Sequence, residues 1–78
     1  MRKLKGRALN EGAYMELRGN SDLLLDGCDA LVDYGEEYVA LKVGERVAGI
    51  HGRDLRMRYL SDRKVAITGY IKGIMYED

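Results

Sequence analysis

Cysteine occurs once, at Cys28, and histidine once, at His51. A single cysteine excludes an internal disulfide, and with one histidine no Cys/His set has the spacing of a zinc site. No apolar run approaches the roughly 20 residues of a membrane-spanning helix. The basic start, MRKLKGRAL, lacks the apolar stretch of a secretory signal. A soluble, cytoplasmic protein in a reducing compartment is the expectation. Net charge is missing too. Thirteen Lys and Arg balance thirteen Asp and Glu, so the whole chain has no bias towards nucleic acid or membrane. A sustained helical period between caps is absent, which excludes helix except for a short one within the first dozen residues. The 78 residues fill one core and not two. So small a core supplies only roughly 3–5 kcal/mol, and with disulfide and metal excluded, self-association or a partner is the expected reinforcement.

What the chain does contain is strand pattern. In YVALKV, Val39, Leu41 and Val43 alternate with Tyr38, Ala40 and Lys42, the period of a strand with one buried face. Gly44 and Glu45 form a two-residue loop with glycine first, the type II′ hairpin signature. This register sets Val43 opposite Arg46, Leu41 opposite Ala48 and Val39 opposite Ile50. A second hairpin is read across Ser61, Asp62 and Arg63, with Tyr59 opposite Val65 and Met57 opposite Ile67, all four inward, and Arg56 and Arg58 outward. Gly19, Gly27, Gly35, Gly44 and Gly52 fall eight or nine residues apart, with Ser61 and Gly69 continuing the series, and are read as turns between short strands. Earlier strands carry Met15 and Leu17, then Leu23 to Leu25, then Ala30 to Tyr34. The last runs from Tyr70 to Tyr76, and a bulge near Gly73 lets Ile71 and Ile74 share a face.

The expected fold is all-β, a small antiparallel meander forming a barrel or two-layer sandwich over residues 13–78. A short β-solenoid also suits the turn spacing, but two-residue reversals do not occur between solenoid rungs. Residues 1–12, with Arg2, Lys3, Lys5 and Arg7, read as a flexible basic arm: a solvated tail, or a contact for acidic lipid or a negatively charged partner.

No residue set supports catalysis, so no enzyme, cofactor or metal is expected. His51 falls on the face opposite the core. Cys28 sits at a turn as a small buried apolar group. Asp26, Asp29 and Asp33 lack the glycine-centred loop of a calcium site and read as solvated acids. Two features point to interaction instead. Arg53, Arg56, Arg58, Arg63 and Lys64 form a basic patch suited to phosphate or carboxylate, or an ordinary charged strand surface. Charge is also split along the chain: residues 10–37 hold eight acids and one base, and residues 42–72 hold eight bases and three acids. One copy's acidic part could thus meet another's basic part, while an edge strand at Ile71, Ile74, Met75 and Tyr76 joins a neighbouring sheet in a homo-oligomer.

From Met15 to Glu77 the chain resembles the YabP/YqfC family of small sporulation proteins. The phrases LLLDGCDALVDYGEEYVALKV, GIHGRDLRMRYLSD and VAITGYIKGIMYE carry the resemblance, the last most specifically. It implies a non-catalytic scaffold or adaptor in the mother cell of a sporulating bacterium, cytoplasmic or peripheral at the membrane. Because family members are commonly encoded beside a multi-spanning membrane protein, it also implies an integral membrane partner. It carries over no catalytic residue. VGERVAG, Asp54, Met57 and ITGYIKGI resemble the two motifs of Sm-like RNA-binding proteins, with Arg58 in place of the usual asparagine. That second resemblance implies a nucleic-acid-binding module and ranks below the first.

Overall fold

Alternation in the Tyr38–Gly44 stretch produces the hairpin it predicts. In the computed structural model, which describes residues 7–10 and 13–77, Val43 stands opposite Arg46, Leu41 opposite Ala48 and Val39 opposite Ile50, around Gly44 at φ 65°. The strands are β1 (Arg7–Asn10), β2 (Ala13–Arg18), β3 (Asp22–Asp26), β4 (Ala30–Tyr34), β5 (Tyr38–Val43), β6 (Arg46–Ser61) and β7 (Lys64–Glu77). No helix lies among the described residues. All strand pairings are antiparallel, which agrees with the meander and excludes solenoid rungs. Of the arm expected over residues 1–12, Arg7–Asn10 runs as β1 beside β2; the rest lies outside the described residues.

The sheet order is β1-β2-β3-β7-β6-β5-β4. Two meanders, β1 to β3 and β4 to β7, are therefore joined where β7 returns to β3. β3 pairs only with residues 64–68 of β7, and β5 only with residues 46–51 of β6. The long β6–β7 hairpin consequently passes from one layer to the other and bends between them. One inner face carries the rows Val39–Ile50–Ile74 and Leu41–Ala48–Tyr76. The other carries Leu17–Leu23–Ile67–Met57 and Met15–Leu25–Val65–Leu60. Val39, Leu41, Ile50, Leu23, Val65 and Ile67 are fully buried in the one core between them.

Four readings need correction. Gly52 and Gly69 are not turns; they are the bend inside the two long strands. A Cβ at Gly52 would strike the Tyr70 carbonyl oxygen, and Gly69 adopts φ 131°, a conformation glycine takes without steric cost. Between Arg53 and Arg56 the register shifts, Asp54 takes φ 55°, and Leu55 turns into the core with 1% exposure. Neighbouring loops satisfy the opened backbone: Gly52 and Leu55 donate to the Glu37 and Glu36 carbonyls at 3.0 and 2.8 Å, and Gly69 and Ile71 donate to Ser21 and Asn20 at 3.2 and 2.7 Å. For the same reason Tyr70–Tyr76 is no separate strand but the second half of β7.

The second hairpin reverses in two residues. Ser61 pairs with Lys64, and Asp62 and Arg63 both lie at positive φ, 56° and 63°, the pattern of a type I′ turn. This two-residue turn replaces the three-residue loop expected across Ser61, Asp62 and Arg63, even though an arginine at positive φ is disfavoured in isolation. Tyr59, expected inside, stands opposite Ala66 and is 48% exposed. A register shift between Met57 and Tyr59 keeps Met57 opposite Ile67 but turns Tyr59 outward. The bulge expected near Gly73 is present: His51 pairs with Gly73 and Gly52 with Ile71, leaving Lys72 as the extra residue.

Candidate interaction site

The bend leaves backbone unpaired. Among the described residues, residues 56–61 of β6 and 72–77 of β7 have a strand on one side only, because β5 and β3 pair with the opposite halves of those strands. Such rows of free N–H and C=O groups are templates for an added strand.

The predicted basic patch divides into three. Arg53 lies over the Tyr70 ring, 4.9 Å from its centroid. Arg63 donates through Nη2 to Asp29 Oδ1 at 2.8 Å and to the Gly27 carbonyl at 3.4 Å, and Lys64 stands between Ser61 and Asp26 in the register. Arg56 and Arg58 remain, both exposed on the free edge of β6, and neither has an ion-pair or hydrogen-bond partner among the described residues. At the same edge the Met57 N–H donates to the Tyr34 hydroxyl at 3.2 Å. Tyr34, Gly35 and Glu36 face Asp54, Leu55 and Arg56 across a groove of about 280 Å³.

The second predicted group lies together in β7 with unequal exposure. Ile71 is buried and Ile74 packs against the core. Met75 is 57% exposed on the outer face, and Tyr76 is 39% exposed at the end of an inner row, with the Arg46 guanidinium 5.3 Å from its ring centroid.

The residues considered for catalysis do not converge. Asp29 accepts from the Gly44 N–H at 2.9 Å and from Arg63; these bonds, that from Gly44 foremost, hold its carboxyl below the usual value. Asp26 sits opposite Tyr14 and Lys64, and the Asp33 carboxylate accepts the Tyr34 N–H at 2.8 Å. No group of three His, Cys, Asp or Glu that could hold a metal lies among the described residues. Cys28 is buried, and desolvation raises its thiol pKa, which favours the unreactive protonated form.

His51 lies on the outer face opposite Tyr38, as expected. The sequence did not disclose the cluster it joins. Tyr38 lies across Gly49, its hydroxyl donating to Glu77 Oε1 at 2.8 Å, with the His51 ring 4.8 Å from its own. His51 Nε2 is 4.0 Å from Glu77 Oε2 and has no hydrogen-bond partner among the described residues. The available signal was Gly49 in mid-strand, a site where another group approaches the backbone. This cluster covers a glycine and ties the end of β7 to β5.

No helix among the described residues is long and apolar enough to cross a membrane. Comparison with curated proteins and with solved structures found no match. Residues 10–78 do match the model of the YabP family, nearly the whole sheet, so the chain belongs to the YabP family, membership of which implies a sporulation-associated protein.

Proposed function

We propose that this chain is a non-catalytic scaffold or adaptor of sporulation that assembles through strand addition at its open sheet edges. The observation that carries the proposal is the unpaired stretch 72–77 of β7, which ends one layer with Met75 exposed beside it. A second copy laid against that edge would satisfy its backbone and cover Met75, and the uneven charge would steer the encounter more than hold it. An integral membrane protein of the mother cell is the proposed larger partner, with this chain peripheral to the membrane; the family resemblance supports that reading. Sedimentation at micromolar concentration tests the self-association. Assembly that survives high salt and is lost in Met75→Lys is expected, and a monomer in both low and high salt would refute it. Met75→Lys suits this test because Met75 is exposed, whereas Ile74 at the same edge also packs against the core. Pull-down from sporulating cells tests the partner.

A second reading, a small nucleic-acid-binding module, is favoured by Arg56 and Arg58, exposed and without a partner among the described residues. Titration with labelled single-stranded RNA and DNA at two salt concentrations tests it. Micromolar binding with steep salt dependence would support it, since phosphate contacts release counterions.

A further inference from the structure

The free edge of β6 differs chemically from that of β7, and the difference identifies an occupant. We infer that residues 56–61 take an extended segment of a partner protein as an added strand, one that alternates acidic with aliphatic residues. The inference rests on the adaptor reading and names the chemistry of its partner.

Backbone geometry is the first support. The Met57 N–H points away from β7 and, among the described residues, donates to the side-chain hydroxyl of Tyr34. It is a ladder donor held by a substitute that a strand carbonyl would replace. Side-chain composition is the second. The inner row Met15–Leu25–Val65–Leu60 ends at this edge with Leu60 41% exposed, beside a half-buried Met57. Inward aliphatic side chains of an added strand would complete that row. Charge is the third. Arg56 and Arg58 flank Met57, both exposed and unpaired among the described residues, and a guanidinium matches a carboxylate through two parallel hydrogen bonds. Period two in the added strand would place its acids on the arginine side and its aliphatics over Leu60. Glu36 and Asp54 border the bend end of the groove, so the acids belong opposite Arg56 and Arg58 and not beyond. A nucleic acid would use the arginines but leave the backbone ladder and Leu60 unanswered. A peptide satisfies all three.

The probe is a fluorescein-labelled octapeptide of alternating glutamate and valine, titrated into the full chain by fluorescence anisotropy. Controls are a lysine–valine octapeptide, a glutamate–valine octapeptide with proline at alternate positions, and a twelve-nucleotide oligothymidylate. Saturable binding of the first peptide alone is expected, weakened more than about tenfold in Arg56→Glu/Arg58→Glu. Tyr34→Phe, which removes the competing hydroxyl, should bind at least as tightly as the parent. Amide exchange should slow at residues 56–61 when the peptide is bound. Equal binding of the lysine or proline peptide, tighter binding of the oligothymidylate, or protection at 72–77 in place of 56–61 would each overturn the inference. So would Arg56→Glu/Arg58→Glu changing the sedimentation of the free protein, because the edge would then be filled by a second copy. Self-association at β7 is read separately from Met75→Lys, so either proposal can fail while the other stands.

Discussion

Asp29, on the crossover from β3 to β4, accepts a hydrogen bond at 2.8 Å from Arg63, a residue held at φ 63° in the turn between β6 and β7. The Arg63 carbonyl in return accepts the N–H groups of Gly27 and Cys28 at 2.8 and 2.9 Å. The crossover that links the two layers and the tip of the long hairpin are thus one clasp. Its bonds offset the left-handed backbone at Arg63, which otherwise costs of order 1–3 kcal/mol.

Acid should loosen this clasp. The folded-state pKa of Asp29 lies below its unfolded value, because the Gly44 N–H and then Arg63 favour the carboxylate. The ionised group therefore contributes stability above the unfolded value of about 4, and that contribution is lost as pH falls through the lower folded value. Asp29→Asn should flatten the acid limb of a stability-versus-pH curve measured by denaturant unfolding between pH 5 and 2. An unchanged limb would show that Asp29 does not act this way.

At alkaline pH the sign is reversed. The hydrogen bond to Glu77, then burial, raises the Tyr38 pKa. The neutral phenol's contribution is complete below the unfolded value of about 10 and is lost as pH rises through the higher folded value. Thermal melts above pH 10 should show a smaller alkaline loss in Tyr38→Phe than in the parent chain.

Two glycines in β6 should respond very differently to alanine. At Gly52 the new Cβ meets the Tyr70 backbone carbonyl, which cannot move without breaking the bend. At Gly49 it meets the Glu77 carboxylate at 2.7 Å and the Tyr38 ring at 3.0 Å, the far ends of two side chains and not backbone. Gly52→Ala is expected to cost at least about 3 kcal/mol and Gly49→Ala about 1 kcal/mol in urea melts. Equal losses would mean that the bend tolerates a side chain.

Leu41 and Ile67 belong to different layers yet share one buried cluster. Leu41→Ala or Ile67→Ala should each cost about 2–4 kcal/mol, enough to unfold much of so small a domain. A loss below about 1 kcal/mol would mean that the layers do not depend on a common core.

The residue alternation from Tyr38 to Ile50 determined the first hairpin and its register, because side chains of period two have one core to face and a glycine-first loop fixes the pairing. The broken alternation from Tyr70 to Tyr76 likewise placed Ile71 and Ile74 on one face, through the bulge beside Gly73. The clustering of arginines was equally legible, but their separate engagements were not. Arg63 is taken by Asp29, 34 residues earlier in the chain, and Arg53 by Tyr70, so only the fold leaves Arg56 and Arg58 available. The bend at Gly52 and Gly69 was likewise hidden. A glycine that ends a strand and one that lets two backbones approach have the same local signature, and the difference lies in Tyr70 and Asp54 across the hairpin. The positive φ of Arg63 has the same origin: local propensity opposes it, and only hydrogen bonds from the crossover, distant in sequence, hold it in place.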